Sequence, residues 1–542
     1  MNSCDVKTKP SFWRKWAPVF VMALGLAIII IDTTLLNVSI KYLIADLKTD
    51  IQSIQWVITA YALTLAALTI TGGRLGDIWG RKKMFVVGAA IFAIGSFIAS
   101  ISHNVGTMIA GESIIEGIGA ALMMPATLSL LVSSYQGRDR AIAMGVWGGV
   151  AGASSAVGPI LGGFLTTNYS WRWGFRINII VAIILIVGSI IIKECKDEKD
   201  KPTLDIFGMI LSSLGLLSFV FGITESSRYG WWRAKEIFVA FGHNISFGDI
   251  SVVPVAMILG ALILAAFLLW ENYVSSKGKT PLVSLKLFKN TPFTSGVANT
   301  AIMSIGQAGM IFAAPIFFQA VRGLDAYHTG LAFLPQSLAA FIFAPLTAIV
   351  FSKKISSKRL IQIGLLLFTL GLIVLRSELK IDAEVHDFMP GLIIFGIAIG
   401  VSMAELSNLT LSAVNVNEAG EASGINNTFR QIGSTLGSAI IGAALLTALT
   451  SNLSNGIDNS TIIPAQAKEK ISQAVSSQTT NVEFGGGAQV SANTPPVIID
   501  EITRISHQAT TDASREALLY AIGFAILGLI LSVRLPENKD LS

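Results

Sequence analysis

Long apolar stretches alternate with short polar connections along almost the whole chain. Each stretch has about 20 residues, the length that an α-helix needs to cross a ~30 Å hydrocarbon layer. The pattern predicts fourteen membrane-spanning helices, roughly at 17–40, 54–72, 84–101, 106–131, 141–165, 176–192, 205–225, 252–271, 293–319, 328–351, 360–378, 388–413, 421–449 and 514–534. The first stretch follows basic residues, as a secretory signal does, but it is too long and has no cleavage site, so we interpret it as a helix.

The polar connection at about 450–513 is much longer than the others and is rich in Ser, Asn, Gln and Gly. We predict an external loop there, in which 465–475 and 498–507 have the pattern of amphipathic helices.

The composition excludes a water-soluble enzyme, because 52% of the residues are hydrophobic and only 13% are charged, about half the charged fraction of soluble domains. The two cysteines, Cys4 and Cys195, lack the spacing of disulfide frameworks and metal sites, and we predict free thiols. No pair of histidines has ligand spacing, so no metal site is predicted.

Basic residues are concentrated in every second connection and at both ends of the chain. The positive-inside rule therefore predicts a multi-pass protein of the cell (inner) membrane with both termini in the cytoplasm. The net charge of +5 reflects this orientation, and no nucleic-acid partner is predicted.

Motifs of hydrolytic or redox enzymes are missing from the sequence, among them HExxH, GxSxG and CxxC. The triplet Gly278-Lys279-Thr280 is not the end of a phosphate-binding loop, because Tyr273 occupies the upstream glycine position. We therefore predict that the protein is not an enzyme and uses no cofactor, and that an ion gradient supplies its energy.

Between the second and third predicted helices the sequence reads Gly73-Arg74-Leu75-Gly76-Asp77-Ile78-Trp79-Gly80-Arg81-Lys82-Lys83. This spacing resembles the signature loop of the major facilitator superfamily. Gly73 and Gly80 would permit close backbone approach, and Asp77 and Arg81 would contact neighbouring helix ends. Such contacts would hold one conformation closed on the inside.

The fifth predicted helix contains Gly158-Pro159-Ile160-Leu161-Gly162-Gly163, which is similar to the antiporter signature of drug-exporting branches of that superfamily. Gly158, Gly162 and Gly163 would allow close helix packing, and Pro159 would bend the helix to form a hinge or seal. Ordinary small-residue packing without a role in transport direction is the alternative.

Further stretches resemble motifs of the fourteen-helix drug:proton antiporter family: 32–38 (DTTLLNV), 171–173 (WRW), 177–178 (IN), 204–205 (LD), 281–283 (PLV), 287–288 (LF) and 424–433 (GINNTFRQIG). The resemblance implies an all-α membrane protein of the major facilitator superfamily fold, with two six-helix bundles at 1–192 and 291–542 and a linker with two inserted helices at 193–290. Transport would proceed as the bundles rock around a central cavity, by alternating access.

The chain also departs from the family pattern. In the fourth helix, Ser113 and Glu116 stand where relatives usually have Arg and Gln, so coupling through the usual arginine is in doubt. Lys41 and Ile180 replace two prolines of other motifs, and the loop at 352–359 has kept its bases but lost the glycines and acid of a second signature loop.

Three acids fall inside predicted helices of the first bundle, where each charge is costly and therefore a candidate for function. Asp32, Glu112 and Glu116 lie at similar depths, and Glu112 and Glu116 share a helix face. Burial and mutual repulsion would favour protonation of at least one carboxyl, which could then carry a proton and bind a cationic substrate in exchange. In the alternative interpretation, Glu112 faces water and Glu116 makes a structural hydrogen bond.

In the second bundle, Glu405 and Arg430 are at depths that match, which permits an ion pair. Such a pair would be structural, or would contact substrate or a gate.

Together these features predict a monomeric secondary transporter that exports amphipathic or cationic small molecules by proton antiport, as multidrug efflux proteins do. Its partners would be the substrate, protons and the lipid bilayer. A dedicated exporter of one metabolite, lipid or peptide-like compound is an alternative, and a non-transporting membrane sensor or scaffold is another.

Overall fold

The computed structural model describes residues 12–49, 51–193, 204–240, 243–415, 418–464, 468 and 495–536. Within them, fourteen helices are long and apolar enough to cross a membrane, which confirms the predicted number. They are α1 (Phe12–Leu47), α2 (Ile51–Trp79), α3 (Arg81–Ser100), α4 (Val105–Ser134), α5 (Gly137–Asn168), α6 (Arg172–Gly188), α7 (Ile206–Thr224), α8 (Val252–Ser276), α9 (Thr291–Ala320), α10 (Ala326–Ala332 and Leu334–Ile349), α11 (Ser357–Glu378), α12 (Met389–Ser412), α13 (Ala419–Asn459) and α14 (Pro496–Leu531). Cys4 and Cys195, the predicted free thiols, lie outside the described residues.

The shorter elements connect these helices. The connection from α7 to α8 contains a short helix, Ser226–Tyr229, and an antiparallel hairpin of β1 (Phe238–Ala240) and β2 (His243–Ile245), in which Phe238 is opposite Ile245. Single 3₁₀ turns occupy Ser189–Ile191, Leu287–Lys289, Phe351–Lys353, Val385–Phe388 and Ser532–Arg534.

Side chains at the polar connections define where several helices begin. Asp205, Ser251, Asn290 and Ser356 each accept a hydrogen bond from a backbone N–H in the first turn of α7, α8, α9 and α11 respectively. These residue types are the preferred N-caps, because their side-chain oxygens satisfy N–H groups that have no partner within the helix.

One face of the helix assembly holds both ends of the described chain, and we call it the terminal face. There the Tyr135 hydroxyl donates to the Lys15 carbonyl at 2.5 Å, and Lys358 Nζ donates to the Val533 carbonyl at 2.8 Å. The opposite face, which we call the loop face, carries the α7–α8 hairpin and the ends of α13 and α14 that the long loop connects.

Helices from the two halves of the chain form two groups, each with a large apolar core, and the core of the first group also includes residues of α9, α12 and α13. In the first group α1 packs on α5 and α3 packs on α4, while in the second α9 packs on α13 and α11 packs on α12. The groups meet where α5 contacts α10 and α12, and where α2 contacts α13. The inserted helices α7 and α8 pair with each other, and α7 lies against α2. The bounds of the domains given above stay a prediction.

The predicted loop at about 450–513 is too long, because helices occupy both of its ends. α13 continues to Asn459, and α14 begins at Pro496. Beyond the predicted ends of the spans, apolar side chains of the two helices, among them Ile457 and Ile502, are buried in the same core. The Ser460 hydroxyl donates to Glu501 at 2.8 Å. The helix predicted at 465–475 lies almost wholly outside the described residues.

Candidate functional site

Two of the predicted acids lie in an unusual part of α4. Between Ile109 and Glu116 the helix is wound as a π-helix, and this segment contains Glu112 and Glu116. Short π-helical segments are rare and are frequent at functional sites. The backbone of α3 comes very close here, since a Cβ on Gly95 would lie 2.5 Å from the Glu116 nitrogen. Glycine at this position therefore allows α3 to support the acidic segment directly.

The structure brings Asp32 of α1 together with Glu112 and Glu116 of α4. One carboxylate oxygen from each residue lies within 4.8 Å of the other two, and all three side chains are at most 1% exposed. We call these three residues the acid cluster. The alternative in which Glu112 faces water is therefore wrong.

A single amide links two members of the acid cluster. Asn178 Nδ2 of α6 donates to Asp32 at 2.6 Å and to Glu116 at 3.2 Å. The Ser96 hydroxyl also donates to Glu116, at 2.7 Å, so the structural hydrogen bond of the alternative interpretation is present. Sequence reasoning placed Asn178 in a motif but did not predict that it would bridge the acids.

The acid cluster has fewer hydrogen-bond donors than its oxygens need. Asp32 Oδ2, Glu112 Oε2 and Glu116 Oε2 are buried without a hydrogen-bond partner among the described residues, and so is the nearby Tyr61 hydroxyl. Three negative charges this close in a low-dielectric interior would repel strongly. The arrangement is therefore suited to take up protons. Its oxygens would also fit a hard cation, and the absence of a metal site stays a prediction.

On the terminal face, Asp77 binds the first turn of α13. Its carboxylate accepts hydrogen bonds from the backbone nitrogens of Gly420 at 3.1 Å and Glu421 at 2.9 Å. Arg81 Nη2 donates to the same carboxylate at 2.9 Å. A helix N-terminus carries partial positive charge and favours an anion. Asp77 therefore connects the two halves of the protein, as the signature loop led us to expect.

Two glycines of the signature loop make this contact possible. Gly73 lies directly against the Gly420 carbonyl, where a Cβ would overlap the backbone of α13. Gly80 has a φ of 112° and turns the chain from α2 into α3, a conformation that residues with a Cβ rarely adopt. The close approach closes the terminal face in this conformation.

Sequence reasoning missed three further charged residues at this closure. Arg74 Nη1 contacts Glu421 at 3.5 Å, and Glu421 also accepts from the backbone nitrogen of Ser284 in the linker after α8. The next residue back, Val283, donates to Glu271 at 3.1 Å. These contacts connect the inserted helix α8, and the linker that follows it, to the closed terminal face. Glu421 lies in the first turn of a helix, where a negative side chain is favourable. This position could have identified it from the sequence as a candidate for a structural contact.

The glycines of the antiporter signature contact both halves. Gly158 and Gly162 lie against Thr34 and Leu35 of α1, and Gly163 faces Tyr327 of α10. The side chain of Pro159 would contact a Cβ on Gly330 of α10 at 3.0 Å. This segment of α5 therefore packs against its own bundle and against the other one near the loop face.

The ion pair that matching depths suggested between Glu405 and Arg430 is not formed. The Glu405 side chain lies near Ser357 at the start of α11, on the terminal face, and its Oε2 is buried without a hydrogen-bond partner among the described residues. Arg430 Nη2 instead extends to the Met124 sulfur of α4, 3.7 Å away. Depth was the wrong criterion, because the neighbours of α12 are chiefly α10 and α11, whereas Arg430 faces the boundary between the two halves.

Arg430 lines a small internal cavity between the halves. Its walls come from α5, α9, α12 and α13, and its lining residues are Trp147, Thr300, Met303, Ser304, Met403, Leu406, Ser407, Asn426, Asn427 and Arg430. The cavity has room for about one water molecule in this conformation. A larger ligand would enter only after the halves move apart.

The chain is similar to known transporters over most of its length. It is 29% identical over 480 residues to the probable actinorhodin transporter of Streptomyces coelicolor, covering 87% of this chain and 78% of that protein. It is 26% identical to the multidrug efflux pump LfrA of Mycolicibacterium smegmatis, covering 89% of this chain and 88% of that protein.

Solved structures share the fold at low identity. The human organic anion transporter MFSD10 aligns with a TM-score of 0.54 and 11% identity over 97% of this chain and all of that chain. The proton:xylose symporter XylE aligns with a TM-score of 0.55 and 12% identity over 96% of each chain. The family model of the Major Facilitator Superfamily matches residues 22–438, and the chain belongs to this family of membrane transporters.

Proposed function

We propose that the protein exports amphipathic small molecules, drugs among them, in exchange for protons that the acid cluster carries. The observation that carries this proposal is the cluster itself, in which three buried carboxyl groups lie together and two of them share one amide donor. The names of the relatives support export as the direction of transport, and drugs or antibiotics as the cargo. The exchange needs no chemical reaction by the protein, which agrees with the prediction that it is not an enzyme.

The closed terminal face supports an alternating-access cycle. With α2 held against α13 by Asp77, the acid cluster would exchange protons with the loop face. When this contact breaks, the terminal face would open, the protons would leave, and cargo would enter the cavity from the cytoplasm. When the contact forms again, the cargo-loaded protein would open toward the loop face, where uptake of protons would release the cargo.

We further propose that the protein is a monomer in the cell (inner) membrane with both termini in the cytoplasm. The distribution of Lys and Arg supports this orientation, since it places the terminal face inside. The glycine-rich segment at Gly158 supports export, because it resembles the antiporter signature and packs against α10 of the other half near the loop face.

Transport by purified protein in sealed liposomes tests the proposal. A pH gradient is imposed, and movement of a fluorescent lipophilic cation is followed for the native chain, Asp32→Asn, Glu116→Gln and the control Asp382→Asn. Asp382 is an exposed acid of a loop between α11 and α12. We expect gradient-driven transport in the native protein and the control, and its loss in the two cluster variants.

Transport that persists unchanged in both cluster variants would refute the role of the acid cluster. If the native protein moves no probe and dissipates no gradient across a panel of amphipathic compounds, the efflux proposal fails. A dedicated substrate or a sensing role would then be the better interpretation.

A further inference from the structure

The small internal cavity lined by Arg430 has an uneven distribution of charge. The acid cluster, which belongs to the first half, is not among its lining residues, and the polar groups that line it come chiefly from α9, α12 and α13 of the second half. Among these lining residues, Arg430 is the one with a formal charge. The cavity wall therefore presents one positive charge with amide groups beside it.

Arg430 lies deep in the protein without a carboxylate beside it. It is eleven residues into α13, or ~16 Å from the terminal end of that helix at ~1.5 Å per residue. No Asp or Glu of the described part of the chain lies within 4.0 Å of its guanidinium, and its neighbour across the boundary is the Met124 sulfur. An uncompensated charge at this depth is costly and marks a functional site by default.

Two asparagines next to Arg430 also lack partners. Asn427 is 3% exposed, and neither its Oδ1 nor its Nδ2 has a hydrogen-bond partner within the described residues. Oδ1 of Asn426, which is 2% exposed, is likewise without one. These residues lie three and four positions before Arg430, so they share its side of α13. Nearly all buried polar groups in proteins are hydrogen-bonded, so these three atoms need a partner that the described residues do not supply.

The rest of the cavity wall combines the hydroxyl groups of Thr300, Ser304 and Ser407 with apolar, polarizable side chains. Trp147 provides a flat aromatic surface from α5, and Met303 and Met403 provide thioethers that adapt to different shapes. An aromatic or aliphatic body would pack against this surface. Its head group would face Arg430, whose planar guanidinium donates two parallel hydrogen bonds to a carboxylate, sulfonate or phosphate.

We propose that the cavity selects amphipathic organic anions, whose oxyanion group binds Arg430 and the Asn427 amide. The proposal rests on the proposed export function and narrows its cargo. The acid cluster is then free to carry protons, and the cargo need not carry a positive charge. Arg430 and Asn427 become residues that determine specificity.

A pair of permanently charged probes tests this assignment. Anthracene-2-sulfonate and anthracen-2-yl-trimethylammonium share a ring system and differ in the sign of the charge. Each is titrated onto the full chain in phosphatidylcholine nanodiscs, with the native protein, Arg430→Met, Arg430→Lys, Asn427→Leu and the control Arg376→Met. Arg376 lies on α11 outside the cavity and donates to the Arg515 carbonyl.

We expect the native protein and the control to bind the sulfonate more tightly than the ammonium probe. Arg430→Met should weaken sulfonate binding by about tenfold or more, since it removes a charge-assisted hydrogen bond, and should leave ammonium binding unchanged or stronger. Arg430→Lys should retain part of the affinity, because the charge remains and the planar fork is lost. Asn427→Leu provides a second test if Arg430→Met does not fold.

Equal sulfonate affinity in the native protein and in both Arg430→Met and Asn427→Leu would overturn the inference, as would equal weakening of both probes. The export proposal fails separately, through the liposome assay above. Gradient-driven movement of the lipophilic cation without any sulfonate binding would refute the anion site and leave proton-coupled export standing.

Discussion

Replacing Asp77 with Asn should open the terminal face. The Asp77 carboxylate accepts from two backbone nitrogens at the start of α13, at 3.1 and 2.9 Å, and its side chain is only 2% exposed. Asn keeps the shape but loses the charge that favours the helix N-terminus. Because these contacts exist only when α2 and α13 are together, their loss weakens the closed conformation alone.

The size of the effect follows from the number of contacts. A hydrogen bond to a charged group contributes about 1.5–3 kcal/mol. Loss of one such contribution would shift the ratio of closed to open molecules by about tenfold to a hundredfold, since ~1.4 kcal/mol corresponds to a factor of ten. A population that is mostly closed would then become mixed or mostly open.

Double electron–electron resonance measures this shift directly. Spin labels at Gln136→Cys in the first half and Lys354→Cys in the second, both exposed on the terminal face, report the separation of the halves in a cysteine-free background. The control is Asp139→Asn, which removes the same charge from a bridge with Lys15 inside one half. Identical distance distributions for native protein, Asp77→Asn and the control would refute the reasoning.

Three further predictions concern packing, the acid cluster and the outer ion pair. Gly73→Ala should also open the terminal face in the resonance measurement, because its Cβ would overlap the backbone of α13, whereas Gly523→Ala meets open space and should change nothing. Asn178→Leu removes the donor shared by two acids, so gradient-driven transport should fall by about tenfold or more; an unchanged rate would contradict this. The hydrogen bond from Arg172 lowers the pKa of Asp46, so the pair stabilises the protein above the ordinary Asp pKa and this contribution is lost as the pH falls through the folded pKa. The melting temperature of the native protein should therefore decrease below about pH 4 more steeply than that of Arg172→Gln.

The number of spans and the approach of the three acids were predictable from local patterns. A 20-residue apolar stretch is a strong signal, and the positions of Glu112 and Glu116 on one helix fix their common face whichever helices are nearby. The depth of Asp32 then sufficed to place it at their level. The helix count was confirmed by the structure, whereas the roles of the site residues stay proposals.

What the sequence could not provide was the choice of neighbouring helices. Glu405 and Arg430 have similar depths, yet their side chains face different partners, which depends on how α12 and α13 are rotated in the bundle. The contact of Glu421 with Arg74 joins residues far apart in sequence, and no local pattern encodes it. The π-helical segment of α4, which packs closely against α3, was missed because the apolar pattern of its sequence is that of an ordinary membrane-spanning helix.

The length of α13 has a mechanical consequence. With 41 residues, this helix is ~62 Å long at ~1.5 Å per residue, about twice the thickness of the hydrocarbon layer. One end is held by Asp77 at the terminal face, and the other projects beyond the loop face, where it is braced by α14. Because such a helix is stiff, displacement of its end at the terminal face tilts the end that projects beyond the loop face, which we call the tip. A binder that clamps the tip against its surroundings would therefore immobilise the whole transport cycle without entering the cavity.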